Sequence, residues 1–108
     1  MFFVLIVQED GTCRTAVTSN LDSAIRKWRQ RFGAFAVVAA AETDLDRAAF
    51  PPATRMPIAV AATTYRRLGV AARAQRAVFR QNCDKAGLLV AWARASLAVA
   101  DAITEGRS

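Results

Sequence analysis

The chain has 108 residues, a hydrophobic fraction of 54% and a formal net charge of +6, with no histidine and only two cysteines, Cys13 and Cys83. This length suits a single domain over residues 1–108, and domains of this size often self-associate. The composition excludes a structural zinc site, which needs four histidine or cysteine ligands, and the usual histidine-based acid–base catalysis.

Residues 2–7 are apolar, but the run is too short for a signal core and has no basic start, so a cytoplasmic location and reduced cysteines are expected. "FFVLIVQ" (Phe2–Gln8) reads as a strand rich in β-formers and apolar on both faces, which predicts a central position in a sheet. Asp10-Gly11 predicts a two-residue hairpin turn. That turn sets Glu9 opposite Thr12, and Val7, Leu5 and Phe3 opposite Arg14, Ala16 and Thr18 in the returning strand Thr12–Thr18.

"SNLDSAIRKWRQRFG" predicts an amphipathic helix with Ser19 as cap, Asp22 as the reciprocal acid of a capping box and Gly33 as terminator. Leu21, Ala24, Ile25, Trp28 and Phe32 share one side, and Arg26, Lys27, Arg29 and Gln30 the other. "AFAVVAAAE" (Ala34–Glu42) reads as a third strand, which completes a β-β-α-β unit over residues 1–50. "TDLDRAAF" predicts a short helix capped by Thr43 or Asp44, and the proline-rich connection 51–57 breaks regular structure. Over 58–65 the spacing of Ile58, Ala61 and Tyr65 favours a helix over a fourth strand.

From Val70 onward the pattern is helical and ends in one long helix. Leu88, Trp92, Ala95, Val99 and Ile103 form one stripe of that helix, and Val90 and Leu97 lie opposite. A helix that is apolar on two sides must be sandwiched or shared with a second subunit. Arg94, Ser96 and Asp101 interrupt it, so no stretch reaches the roughly 20 apolar residues of a membrane span. The expected fold class is α+β: a small three-stranded sheet followed by two or three helices. The long C-terminal helix packs on the free face of the sheet or across a homodimer interface.

Charge is divided unevenly along the chain. Residues 1–50 carry six basic and six acidic side chains, whereas residues 51–108 carry nine basic and three acidic, so the whole excess lies in the second half. On a helix stepping about 100° per residue, Arg66, Arg73, Arg76 and Arg80 fall within a stripe about 80° wide, opposite Leu68, Ala71, Ala72, Val78 and Phe79. Arg67 and Lys85 flank the stripe. Arginines without carboxylate neighbours repel one another mildly and gain most from an external anion.

Nucleic-acid phosphates are the leading partner for these six residues, and an acidic protein surface is the other. Solvation, or pairing with acids of the first half, also accounts for such a stripe. Tested as a helix-turn-helix, Val70 and Val78 fit around Gly69, but Tyr65 and Gln75 stand where a small and an apolar residue are needed. A basic amphipathic helix can also lie on anionic lipid, but the face opposite the arginines offers few large anchors.

Catalytic readings are weaker. Glu42, Asp44 and Asp46 can act as acids or hold a metal, yet the same spacing suits a capped helix start. Cys83 has no nucleophile context, and the five glycines stand singly, so no phosphate-cradling loop is formed. The expectation is a non-enzymatic regulatory or accessory protein without a cofactor. It would bind nucleic acid or, as an inhibitor or adaptor in the manner of many compact phage and mobile-element proteins, an acidic or nucleic-acid-dependent protein.

Overall fold

A computed structural model of the chain describes residues 1–42, 54–67 and 86–106. Four strands, β1 (Phe2–Gln8), β2 (Cys13–Thr18), β3 (Phe35–Glu42) and β4 (Arg55–Met56), form one antiparallel sheet in the order β3-β1-β2-β4. Three helices, α1 (Leu21–Phe32), α2 (Ile58–Arg67) and α3 (Ala86–Gly106), pack on it. The fold is α+β.

β1 is central, as its two apolar faces require. Phe3 through Val7 are all 1% exposed or less. Their alternation divides the core in two. Val4 and Ile6 join Ile25, Phe35, Val37 and Ala40 beneath α1. Phe3, Leu5 and Val7 join Tyr65 of α2 and Leu88, Ala91, Ala95 and Val99 of α3 on the other face. Each large side chain so buried contributes roughly 1.5–3 kcal/mol, so both faces hold the sheet between helices. The terminal helix therefore packs on the sheet face that α1 leaves free. Trp92 fixes it there, its indole N–H donating to the Val37 carbonyl (3.2 Å) where the β1–β3 register shifts. A bulge of this kind leaves a backbone group available to a side chain.

The hairpin differs from expectation by one residue. Val7 pairs with Cys13, Leu5 with Thr15 and Phe3 with Val17. The loop has three residues, Glu9, Asp10 and Gly11, closed by the Gly11 N–H on the Gln8 carbonyl (3.0 Å) and the Gln8 N–H on the Thr12 carbonyl (2.8 Å). The two-residue turn would need positive φ at Asp10 as well. In the fold only the glycine adopts it, with Gly11 at φ 86° and no non-glycine residue at positive φ among those described. Because side chains alternate, the slip reverses every face of β2. Cys13, Thr15 and Val17 turn to the α2/α3 side, and Arg14, Ala16 and Thr18 to the α1 side.

Two further expectations change. Asn20, not Ser19, caps α1: its Oδ1 accepts the Ser23 N–H (3.1 Å). Gly33 ends the helix as predicted, at φ 79° with its N–H on the Arg29 carbonyl (3.0 Å). The sheet has four strands rather than three, because Arg55 and Met56, inside the proline-rich connection, pair with Arg14 and Cys13. β4 is only two residues long, too short for any periodicity to announce it. Residues 58–65 are helical; the Pro57 carbonyl accepts the Ala61 N–H (3.0 Å) at the start of α2. The short helix expected after Thr43 lies outside the described residues.

Candidate polyanion-binding surface

Of the six residues expected to carry binding, Arg66 is exposed at the end of α2, with no ion-pair partner among the described residues. Arg67 closes the same helix. Arg73, Arg76, Arg80 and Lys85 lie outside the described residues, as do Asp44, Asp46 and Cys83. Glu42 is exposed at the end of β3. Tyr65 is fully buried, its ring 5.4 Å from that of Phe3, so it anchors α2 to the sheet. The turn and second helix that a helix-turn-helix would need after it lie outside the described residues.

The described residues gather a different basic surface, where the C-terminus of α1 meets β2 and β4. The hairpin slip creates it. With Arg14 turned to the α1 side, its guanidinium lies over the Phe32 ring at 4.2 Å from the centroid. Arg31 approaches the same ring at 5.4 Å. Arg55 is directly opposite Arg14 in the β2–β4 register, so a third guanidinium joins the group. Like charges facing each other across a strand pair are destabilising, and other contacts must hold them.

Those contacts are specific. Gln8 Nε2 donates to the Phe32 carbonyl (2.9 Å), one of the carbonyls a helix end leaves unpaired, and Gln8 Oε1 accepts from Arg14 Nε (3.1 Å). One amide thus ties the end of α1 to Arg14. Asp10 Oδ1 accepts from the N–H (3.0 Å) and hydroxyl (2.7 Å) of Thr12, and Oδ2 pairs with Arg55. Arg55 also reaches Thr12 Oγ1 (3.3 Å). The hydrogen bonds from Thr12, more than the charge of Arg55, hold the Asp10 carboxyl below its ordinary value.

The cluster's field acts on its own members. Arg14 has a lowered pKa, first through desolvation and then through the charges of Arg55 and Arg31, with Asp10 opposing. Among the described residues, three guanidinium groups gather around the Asp10 carboxylate and the negative end of α1, equivalent to about half a charge. Positive charge predominates among these described side chains. The exposed outer side of α1 extends it with Arg26, Lys27 and Arg29. Sequence reasoning missed this cluster because it depends on the register of the hairpin and on a two-residue strand. The available signal was Arg14 alternating with small residues along β2.

Cys13 is buried on the opposite face of β2, and burial pushes its thiol up to about 12. It stays protonated and forms no disulfide. Among the described residues, no three histidine, cysteine, aspartate or glutamate side chains gather as a metal site. No described helix is long and apolar enough to cross a membrane. Comparisons with protein families, curated proteins and solved structures find no match to this chain.

Proposed function

We propose that this chain is a small non-enzymatic binding protein of the cytoplasm that contacts nucleic-acid phosphates in a regulatory or accessory role. One observation carries the reading: Arg14 and Arg31 share the Phe32 ring while Arg55 stands across from Arg14. A fold that needed only a solvated edge has no reason to assemble three mutually repelling guanidinium groups. An anion bridging them relieves that repulsion, and arginine forks match phosphate oxygens. The contact surface runs from this cluster along Arg26, Lys27 and Arg29. The segment that carries Arg66, Arg67, Arg73, Arg76, Arg80 and Lys85 has charge of the same sign in the sequence.

The test is a titration against duplex and single-stranded oligonucleotides at increasing salt. Binding weakens linearly in log–log form, and Arg14→Ala and Arg31→Ala each reduce the slope by about one. No binding at about 50 μM protein in low salt, or binding indifferent to salt, overturns the reading.

A second reading, an adaptor or inhibitor docking on an acidic protein, draws support from the Arg55–Asp10 pair, in which the cluster already accepts a carboxylate. A pull-down with and without nuclease separates the two. A partner retained after nuclease and lost with Arg73→Glu/Arg76→Glu or Arg14→Glu favours the protein.

A further inference from the structure

The outward face of α3 carries a seam unrelated to the basic surface. Its inward face, Leu88, Ala91, Ala95 and Val99, is buried against the sheet. On the other side Leu89 is 45% exposed, Val90 53% and Leu97 67%. These are the largest exposed apolar side chains of the described residues apart from Met1 and Val60. Ala86, Val90, Ala93, Leu97, Ala100 and Thr104 follow one another at alternating steps of four and three residues. That is the spacing of a coiled-coil seam, in which a helix presents one narrow apolar stripe to a partner helix. Alanine at every second seam position lets two backbones approach closely. Thr104 is the one polar member, and its hydroxyl is satisfied within the helix, donating to the Ala100 carbonyl (2.9 Å).

The charges beside the seam select the partner and its direction. Arg94 and Asp101 are both exposed and sit on the same flank of the stripe, seven residues apart. At 1.5 Å rise per residue they are about 10 Å apart along the helix, too far to pair within it. Neither has an ion-pair partner among the described residues. A two-fold axis perpendicular to the helix near Leu97–Ala100 keeps each flank on its own side and reverses its order. Arg94 then meets Asp101 of the partner subunit, and the pair repeats on the other side of the axis. A parallel arrangement offers neither residue an opposite charge.

We propose that α3 pairs antiparallel with α3 of a second copy of this chain, Leu97 seated against Ala100 of the partner subunit and two Arg94–Asp101 pairs closing one flank. One helix pair is a small interface, so association falls in the micromolar range rather than at the affinity of an obligate dimer. Each copy carries a net charge of +6, so general repulsion opposes pairing and is screened at physiological salt.

Sedimentation equilibrium of the full chain in about 0.15 M salt, from about 1 to about 500 μM, tests the proposal. The expected result is a concentration-dependent dimer. Leu97→Glu abolishes it without changing the circular dichroism spectrum or melting temperature of the monomer. Arg94→Asp weakens it roughly tenfold or more, because two pairs become like-charged, and Arg94→Asp/Asp101→Arg restores it. A monomer throughout the range overturns the proposal. So does a dimer indifferent to Leu97→Glu, which places the contact elsewhere. A dimer lost with Leu97→Glu but unmoved by the charge reversal overturns the antiparallel arrangement.

Discussion

α1 and α3 lie on opposite faces of one sheet and solve the inner half of their task alike. Ala24 and Ile25 of α1, and Leu88, Ala95 and Val99 of α3, are buried against the strands. Their outer halves share nothing. α1 turns Arg26, Lys27, Arg29, Gln30 and Arg31 to solvent, whereas α3 turns out Leu89, Val90 and Leu97. Packing on the sheet requires neither outer face. A charged face and an apolar face serve the fold equally, so under the two proposals above the difference reflects what each helix meets beyond it: an anion for one, an apolar surface for the other.

The contrast between inner and outer faces of α3 is the largest effect to test. Leu88 is fully buried, so Leu88→Ala is expected to cost about 2–5 kcal/mol in chemical denaturation. Leu97→Ala, nine residues or about two and a half turns away, is expected to change the stability of the monomer by less than about 0.5 kcal/mol. Comparable losses at both positions in dilute protein would show that the outer face is already packed within one chain. The α1 counterpart is Ile25→Ala, expected in the same 2–5 kcal/mol range because Ile25 is 7% exposed between strand and helix.

Gly11 tests the element that builds the basic cluster. No atom lies within 4 Å of a Cβ added there, so the only cost of Gly11→Ala is its φ of 86°. The expected loss is about 1–2 kcal/mol, read by thermal or chemical denaturation. A loss near zero would mean that the loop has relaxed into another turn. The register would then shift, and Arg14 would leave the Phe32 ring.

Much of this architecture was legible because long, strongly patterned segments report their burial. β1 is apolar on both faces and is central; the 3.6-residue stripe of α1 and its Gly33 terminator appear where expected. The failures are local. Asp10-Gly11 suits two loop lengths, and a one-residue difference inverts all of β2. Arg55-Met56 is too short to carry a pattern, yet it brings the third arginine to the cluster. Asn20 and Ser19 are equally good caps by type, and only the path of the chain after Thr18 chooses. The cluster at Phe32 inherits all of this: it joins four segments whose placement follows from register, not from spacing along the chain. The Arg73, Arg76 and Arg80 stripe was read from spacing and lies outside the described residues.

Thr15 extends the comparison to the inside of the sheet. The slip that turns Arg14 to the α1 side carries Thr15 into the α2/α3 core, where its hydroxyl is buried without a hydrogen-bond partner among the described residues. An unsatisfied buried hydroxyl costs roughly 1–3 kcal/mol, and valine has nearly the same shape. Thr15→Val is therefore expected to raise stability by about 1 kcal/mol in urea denaturation. Destabilisation would show that the hydroxyl has a partner and that the face assignment of β2 needs revision. Tyr65, whose hydroxyl likewise has no partner among the described residues, gives the parallel variant Tyr65→Phe.

The smallest expected effect belongs to Asp10, the acid inside the basic cluster. Its folded pKa is depressed below the ordinary carboxyl value, chiefly by the hydrogen bonds from Thr12 and in smaller part by Arg55. A depressed carboxyl contributes stability that is present above its unfolded pKa and is lost as pH falls through the folded value. The affected window therefore lies below about pH 4, and because Asp10 is largely exposed, solvent screening keeps the effect small. Asp10→Asn should lower stability slightly near pH 7, converge with the parent chain below about pH 4 and so flatten the acid limb of a pH–stability profile. The same variant removes the carboxylate that pairs with Arg55, so it should tighten phosphate binding at pH 7, opposite in sign to Arg14→Ala. Weaker binding would mean that Asp10 serves the site by positioning Arg55, and that orientation of the guanidinium groups outweighs their summed charge.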